Sequence, residues 1–196
     1  MATVEQNKTE KRVRLLDSAL SLFSSKGMKT PTVDEVVKLA GVAKGTFYLY
    51  FRDKYDLMDQ LFLRKFAECI KSASETVRRK LEKKDVTDVE HLCAFLDTVL
   101  DSLAGNKEFL PLIKDRIGTC YRLMLRDQEH LLREDYDKLV GIFVNHGYTT
   151  RESEMHIYML TTMIASVCCE AAITSEPYSI DELKSGVRSI AASLLA

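Results

Sequence analysis

Four Ser/Thr-x-x-Glu pairs mark where helices begin in this 196-residue chain. In such a capping box the hydroxyl oxygen accepts a hydrogen bond from a backbone amide of the first turn, and the glutamate accepts one from the cap residue. The pairs are Thr32 with Glu35, Thr87 with Glu90, Thr149 with Glu152, and Ser179 with Glu182. Each precedes an apolar run, and only 8 Gly and 3 Pro interrupt the chain. The sequence therefore predicts an all-α fold of about nine helices.

Charge is distributed unevenly along the chain. Residues 1–55 contain 10 Lys and Arg against 6 Asp and Glu, whereas the net charge of the whole chain is -1. A basic segment on an acidic remainder favours contact between that segment and a polyanion, although random scatter of surface charge explains the same counts. The charge pattern alone therefore leaves both interpretations open.

Cysteine spacing and the N-terminus indicate the cellular compartment. The five cysteines show no CxxC or Cys/His spacing, so we expect reduced thiols, no bound metal and no cofactor. The polar N-terminus lacks the apolar core of a signal peptide, which favours a cytoplasmic protein. The apolar run 157–173 is slightly short for a membrane span, so the sequence predicts a buried helix and no membrane partner.

Apolar periodicity predicts two domains, residues 1–54 and residues 55–196. The first domain has apolar faces at Val13, Leu16, Leu20 and Phe23 in a helix over about 9–26, and at Val36, Val37, Leu39 and Ala40 in a helix over 33–40. A second short helix begins near Ala43, and a long one runs from Asp53 to about residue 80. The remaining helices are predicted near 88–104, 107–116, 119–145, 151–174 and 180–195.

Residues 32–51 have the form of a helix-turn-helix, in which the second short helix enters the major groove of DNA. Lys44 and Tyr48 share one outward face of that helix, and Thr46 and Tyr50 share its neighbour. Lys44 and Lys54 offer charge, the tyrosines offer hydroxyls, and Gly45 permits close backbone approach. Thr32 opens a helix whose N-terminus suits a phosphate. An ordinary helical corner with a tyrosine-rich surface is the alternative.

The run from Thr32 to Lys54, followed by Leu57, resembles the head signature of the tetracycline-repressor-like (TetR) family of transcriptional regulators. The resemblance implies an all-α homodimer whose heads bind a palindromic operator and whose body binds a small-molecule effector that controls DNA affinity. The DNA contacts it implies are Thr32, Lys44, Gly45, Thr46, Tyr48, Tyr50 and Lys54. Ala43 departs from the serine that the family often has there, and a missing side-chain cap costs about 0.5 to 2 kcal/mol.

The body of the chain supplies candidate residues for an effector pocket and for a dimer interface. Soft and aromatic side chains, together with one carboxylate in an apolar helix, are the pocket candidates: Phe66, Cys69, Phe109, Cys120, Met124, Tyr158, Met163 and Glu170. Small and apolar positions of the last two helices are the interface candidates: Ala165, Ala172, Leu183, Val187, Ile190 and Leu194. The alternative is that both sets are only the core of a monomer.

Two other classes of function remain open at this point. The sequence contains no glycine-rich phosphate loop, no GxSxG and no HExxH, so we do not expect an enzyme. A helical adaptor that binds only protein would leave the Lys44 to Lys54 surface without a role. We therefore expect a sequence-specific DNA-binding regulator, a repressor that a small molecule releases from its operator. Salt-sensitive binding to duplex DNA distinguishes it from both alternatives.

Overall fold

The structure is a computed structural model that describes residues 4–26, 31–82, 85–105, 110, 118, 121–122 and 132–196. These ranges contain eight helices and no strand, as the all-α prediction requires. The helices are α1 (Val4–Lys26), α2 (Val33–Ala40), α3 (Lys44–Tyr48), α4 (Lys54–Leu81), α5 (Asp88–Gly105), α6 (Arg133–Asn145), α7 (Thr150–Thr174) and α8 (Ile180–Leu194). The helix predicted over 107–116 lies almost entirely outside the described residues. The chain forms two compact units, Met1–Arg64 and Lys65–Ala196.

The helix starts follow the local sequence closely. All four predicted capping boxes are formed, at the starts of α2, α5, α7 and α8. A fifth start, that of α4, uses Asp53, whose Oδ1 accepts hydrogen bonds from the amides of Tyr55 and Asp56 at 2.8 and 2.9 Å. Gly41 closes α2 in the left-handed conformation with φ of 63°, which a residue without Cβ adopts at little cost.

The first unit is built from α1, α2, α3 and the first turns of α4. Its core consists of apolar side chains that are almost fully buried: Leu15, Leu16, Ala19, Phe23, Val36, Ala40, Phe47, Phe51, Leu57 and Leu61. Leu39 was predicted to join this core, but it is 54% exposed. At 100° per residue, a helix that buries Val36, Val37 and Ala40 turns Leu39 toward solvent.

The second unit packs α5 against α8, with α6 and α7 alongside. Its core includes Leu96 and Leu100 of α5, Phe143 of α6 and Val187 of α8. At the surface, the Arg188 guanidinium donates to both carboxylate oxygens of Asp97, at 3.0 and 2.8 Å from Nε. This bidentate ion pair fixes the register of α8 on α5.

Among the residues that the structure describes, helix α7 is buried along one side and exposed along another. Leu160, Ile164 and Cys168 are buried in the core of the second unit, whereas Met155, Met159 and Ile173 are exposed. By length and composition α7 would be able to cross a membrane, but core helices of soluble proteins meet the same criteria. The sequence predicted a buried helix over 157–173, and the structure buries one side of it.

Candidate DNA-binding surface

Two phenylalanines hold α3 in place within the first unit. Phe47 and Phe51 are one turn apart and almost completely buried, with ring centroids 5.4 Å from each other. Just before the turn that leads into α3, the guanidinium of Arg14 on α1 donates a hydrogen bond to the carbonyl of Ala40, the last residue of α2. As predicted, Ala43 begins α3 without a side-chain cap. Packing, rather than capping, therefore sets the orientation of this short helix.

The opposite side of α3 is open to solvent. Lys44, Gly45 and Tyr48 are exposed, while Thr46 and Tyr50 are half-buried. The ring of Tyr50 lies 6.4 Å from that of Phe51, at the edge of the core. Lys44 and Tyr48 are four residues apart in α3 and so face the same way. We call the exposed set Lys44, Gly45, Tyr48 and the adjoining Leu49 the recognition surface.

A carboxylate of α2 reaches the recognition surface. The ammonium of Lys44 lies 2.8 Å from Oδ1 of Asp34. The hydrogen bond with Asp34, and then its negative charge, raise the pKa of Lys44 above the usual lysine value. Lys44 is therefore a cation at neutral pH. Both side chains are exposed, so water and salt screen the pair and a phosphate can replace Asp34 as the partner of Lys44.

Two other predicted DNA contacts already have partners within the chain. The Thr32 hydroxyl donates to Oε2 of Glu35 at 2.8 Å and accepts from the Glu35 amide at 3.3 Å. A phosphate at this helix end would compete with the Glu35 carboxylate for that hydroxyl. Lys54 begins α4, and its ammonium lies 5.2 Å from the centroid of the Tyr55 ring. This cation–π contact leaves the lysine charge partly exposed.

Sequence reasoning missed two residues of this surface, Asp34 and Leu49. Leu49 follows α3 directly and is 76% exposed, the highest value among the large apolar side chains that the structure describes. The sequence did contain a sign that Leu49 is exposed. Phe47 and Phe51 each lie two residues from Leu49 and point into the core, and residues two apart in a helix lie on nearly opposite sides. Asp34 was detectable only as an acidic residue in the first turn of α2, which the helix dipole alone explains.

The effector-pocket candidates lie in different environments. Phe66 lines an apolar pocket of about 40 Å³ between α4, α5 and α7, together with Phe95, Leu96, Thr161 and Ile164. The Cys69 thiol donates to the Ser102 hydroxyl, at 3.3 Å, and Met163 packs against the core. Tyr158 and Glu170 are exposed, so the carboxylate of Glu170 is not buried in the apolar helix as the sequence suggested. Phe109, Cys120 and Met124 lie outside the described residues.

Three of the dimer-interface candidates face the core of their own subunit. Ala165, Ala172 and Val187 are buried in that core, and Ala165 also lines the apolar pocket. The spacing of small residues along α7 did not reveal which side α5 covers. Of the other candidates, Ile190 is 45% exposed, and Leu183 and Leu194 are half-buried. Exposed Ile173 of α7 was not among the candidates.

A metal site is not apparent in the part of the chain that the structure describes, where no group of three or more His, Cys, Asp or Glu residues is arranged to hold an ion.

Comparison with known proteins points to one family. Residues 15–61 match the sequence model of the tetR family of bacterial regulatory proteins. The fatty acid metabolism regulator protein of Bacillus subtilis is 26% identical over 140 residues, which cover 71% of this chain and 66% of that protein. The regulator AcrR of Shigella flexneri is 40% identical over 58 residues, 30% of this chain and 27% of that protein. The matches thus span less than two thirds of either relative.

Solved structures share the fold over nearly the whole chain. The crystal structure of the transcriptional regulator FadR from Bacillus subtilis, in complex with stearoyl-CoA, superposes with a TM-score of 0.61 at 22% identity. The superposition covers 91% of this chain and 96% of that chain. A putative tetR-family regulator from a Shewanella species gives a TM-score of 0.64 at 17% identity. At such identities the likeness concerns the fold, and it confirms the all-α architecture.

Proposed function

Since residues 15–61 match the sequence model of the tetR family of bacterial regulatory proteins, we propose that this chain is a member of that family and a sequence-specific DNA-binding transcriptional repressor. In this proposal the first domain, residues 1–54, binds operator DNA, and residues 55–196 bind an effector and a second copy of the chain. Its relatives carry the names of regulators rather than of enzymes. The proposal includes a cytoplasmic location, because an operator on the chromosome would be reached there.

The observation that carries this proposal is the exposed recognition surface on a rigidly held helix. Lys44 offers a charge and Tyr48 a hydroxyl on one face of α3, while Phe47 and Phe51 fix the other face in the core. Charged and hydroxyl groups are the usual partners of phosphate oxygens, and a short exposed helix fits the major groove. Thr32, Thr46, Tyr50 and Lys54 complete the proposed set of contacts.

Selection of bound fragments from genomic DNA by the purified protein tests this proposal. We expect fragments that share a palindromic sequence with half-sites about 10 base pairs apart, since two subunits bind successive major grooves on one side of the duplex. Binding to the selected operator falls steeply with salt, because each neutralised phosphate releases a counterion. Fragments without a common sequence, or binding that salt does not weaken, would contradict the proposal.

Lys44→Ala is expected to weaken operator binding and to lower its salt dependence. Loss of one phosphate contact lowers the slope of log affinity against log salt by about 0.9 for each DNA-binding unit. Lys138→Ala is the matched control, because Lys138 is also an exposed lysine paired with a carboxylate, that of Glu134 at 2.7 Å, but lies in the second unit. Titration of labelled operator at several salt concentrations measures both. An unchanged slope in the Lys44 variant would remove this lysine from the interface.

The proposed dimer is supported by the uncovered sides of α7 and α8. Ile173 and Ile190 are exposed, although both helices also contribute side chains to the core of their own subunit. Apolar groups exposed on two neighbouring helices are typical of a surface that a second subunit covers. In a twofold symmetric dimer the same side chains meet their counterparts, so one patch is sufficient for both subunits.

The proposed effector is an amphipathic small molecule. Phe95 lines both the apolar pocket and an open groove of about 800 Å³ between α4, α5 and α6. Lysine, arginine, histidine and carboxylate side chains also line that groove, together with a few apolar and neutral polar residues. A ligand whose polar head lies in the groove would bring its apolar chain to Phe95, and the pocket of about 40 Å³ would have to widen to admit that chain. The effector would relieve repression by binding one conformation of residues 55–196 more tightly. In that conformation the two DNA-binding domains of the dimer could not both reach the operator.

Stearoyl-CoA, with which FadR of Bacillus subtilis was crystallised, is the first effector to test. We expect it to release the operator from this protein, while coenzyme A, which lacks the apolar chain, leaves the complex intact. Free stearate is the second comparison and shows whether a carboxylate head is sufficient. Fluorescence anisotropy of labelled operator measures release. Equal release by coenzyme A alone would contradict the requirement for an apolar chain.

A further inference from the structure

Leu49 is held in an exposed position by its neighbours. Its backbone continues the helical conformation at the end of α3, with φ of -75° and ψ of -22°, and its amide donates to the carbonyl of Thr46 at 3.3 Å. Phe47 and Phe51 on either side are buried. A change that buried Leu49 would have to turn one of them out of the core. The side chain is therefore presented to solvent by the fold itself.

Gly45 leaves open space one turn before Leu49. A Cβ atom built on Gly45 would meet no atom of the protein within 4 Å. Residues four apart lie on the same helical face, and side chains lean toward the N-terminus of their helix, so Leu49 leans toward the turn that contains Gly45. Leu49 therefore lies beside open space on the recognition surface, together with the exposed side chains of Lys44 and Tyr48.

We propose that Leu49 determines operator specificity by packing against the 5-methyl group of a thymine in each half-site. This inference rests on the proposed function, since it assigns a partner to the recognition surface. The thymine methyl is the apolar group that bases present in the major groove, and leucine has no atom that forms hydrogen bonds with base edges. The neighbouring cation Lys44 favours a polyanionic partner, which supports DNA over an apolar protein surface as the occupant.

Replacement of thymine by deoxyuridine tests the contact one methyl group at a time. Each thymine of the selected operator is replaced singly, which removes the methyl group and leaves base pairing unchanged. At one thymine position in each half-site, we expect removal of the methyl group to weaken binding about fourfold, as loss of one buried methyl group predicts. When that position is changed in both half-sites, two methyl groups are lost and binding should be about fifteenfold weaker. In Leu49→Ala the same replacement is expected to change affinity by less than twofold.

Leu39→Ala is the matched control, because Leu39 is an exposed leucine of the same unit that lies on α2. It should retain the full preference for thymine over deoxyuridine. Thermal unfolding should be the same in both variants, since both side chains are exposed. The proposal is overturned if no single methyl removal weakens binding, or if Leu49→Ala keeps the preference. Failure to bind any duplex DNA would instead defeat the proposed function.

Discussion

The double variant Leu183→Glu with Ile190→Glu is expected to be monomeric and to lose at least a hundredfold in operator affinity. Leu183 and Ile190 lie seven residues apart on the same side of α8, and Ile190 is 45% exposed in the single subunit. Glutamates there would place like charges opposite each other across a twofold axis. The second DNA-binding unit of a dimer acts at high effective concentration, so its loss removes an avidity of roughly 10² to 10⁴.

Val144→Glu provides the control for this prediction. Val144 lies on α6 and is 43% exposed, so it tests the same chemical change at similar exposure on another helix. Sedimentation or light scattering should give a dimer for this variant and a monomer for the double variant. A double variant that stays dimeric at micromolar concentration would place the interface on other residues, with the exposed side of α7 as the next surface to test.

Phe47→Ala is expected to destabilise the first unit by about 3 to 5 kcal/mol and to abolish operator binding. Phe47 is completely buried and packs against Phe51, so its removal leaves a cavity directly beneath α3. A loss of this size is a large fraction of the stability of a domain of about 60 residues. Denaturant unfolding and operator titration measure the two effects.

Tyr48→Ala is the neighbouring control and separates folding from recognition. Its side chain is 54% exposed, so we expect little change in unfolding free energy but weaker operator binding. If Phe47→Ala unfolded at the same denaturant concentration as the unmodified protein, the packing described for α3 would be wrong. If Tyr48→Ala bound DNA normally, Tyr48 would not belong to the contact surface.

Local chemistry explains why the helix starts were predictable. A capping box involves residues only three apart, so its hydrogen bonds follow from the sequence whatever the rest of the chain does. All four predicted boxes are formed, and the missing cap at Ala43 was also predictable from one residue. The exposed face of α3 followed from the spacing of Phe47 and Phe51 for the same reason.

Tertiary contacts explain what the sequence did not predict. Leu39 looked like a core residue, but the direction of the core is set by the way α1 packs against α2. Ala165 and Ala172 looked suited to an interface, but the side of α7 that carries them packs in the core of its own subunit. The ion pair between Asp34 and Lys44 depends on the turn that brings α2 and α3 together. Each of these arrangements depends on how neighbouring helices pack, in addition to the spacing along one helix.

In the proposed function, the carboxylate of Asp34 also bears on how the protein would find its operator among the many other sites of a chromosome. A lysine that already has an anionic neighbour gains less from contact with an arbitrary phosphate than an unpaired lysine does. Competing sequences are in vast excess, so occupancy of one site depends on the ratio of specific to non-specific affinity. In the proposed function, a counter-charge that lowers the affinity of Lys44 for every duplex alike leaves that ratio to be set by the contacts beyond Lys44.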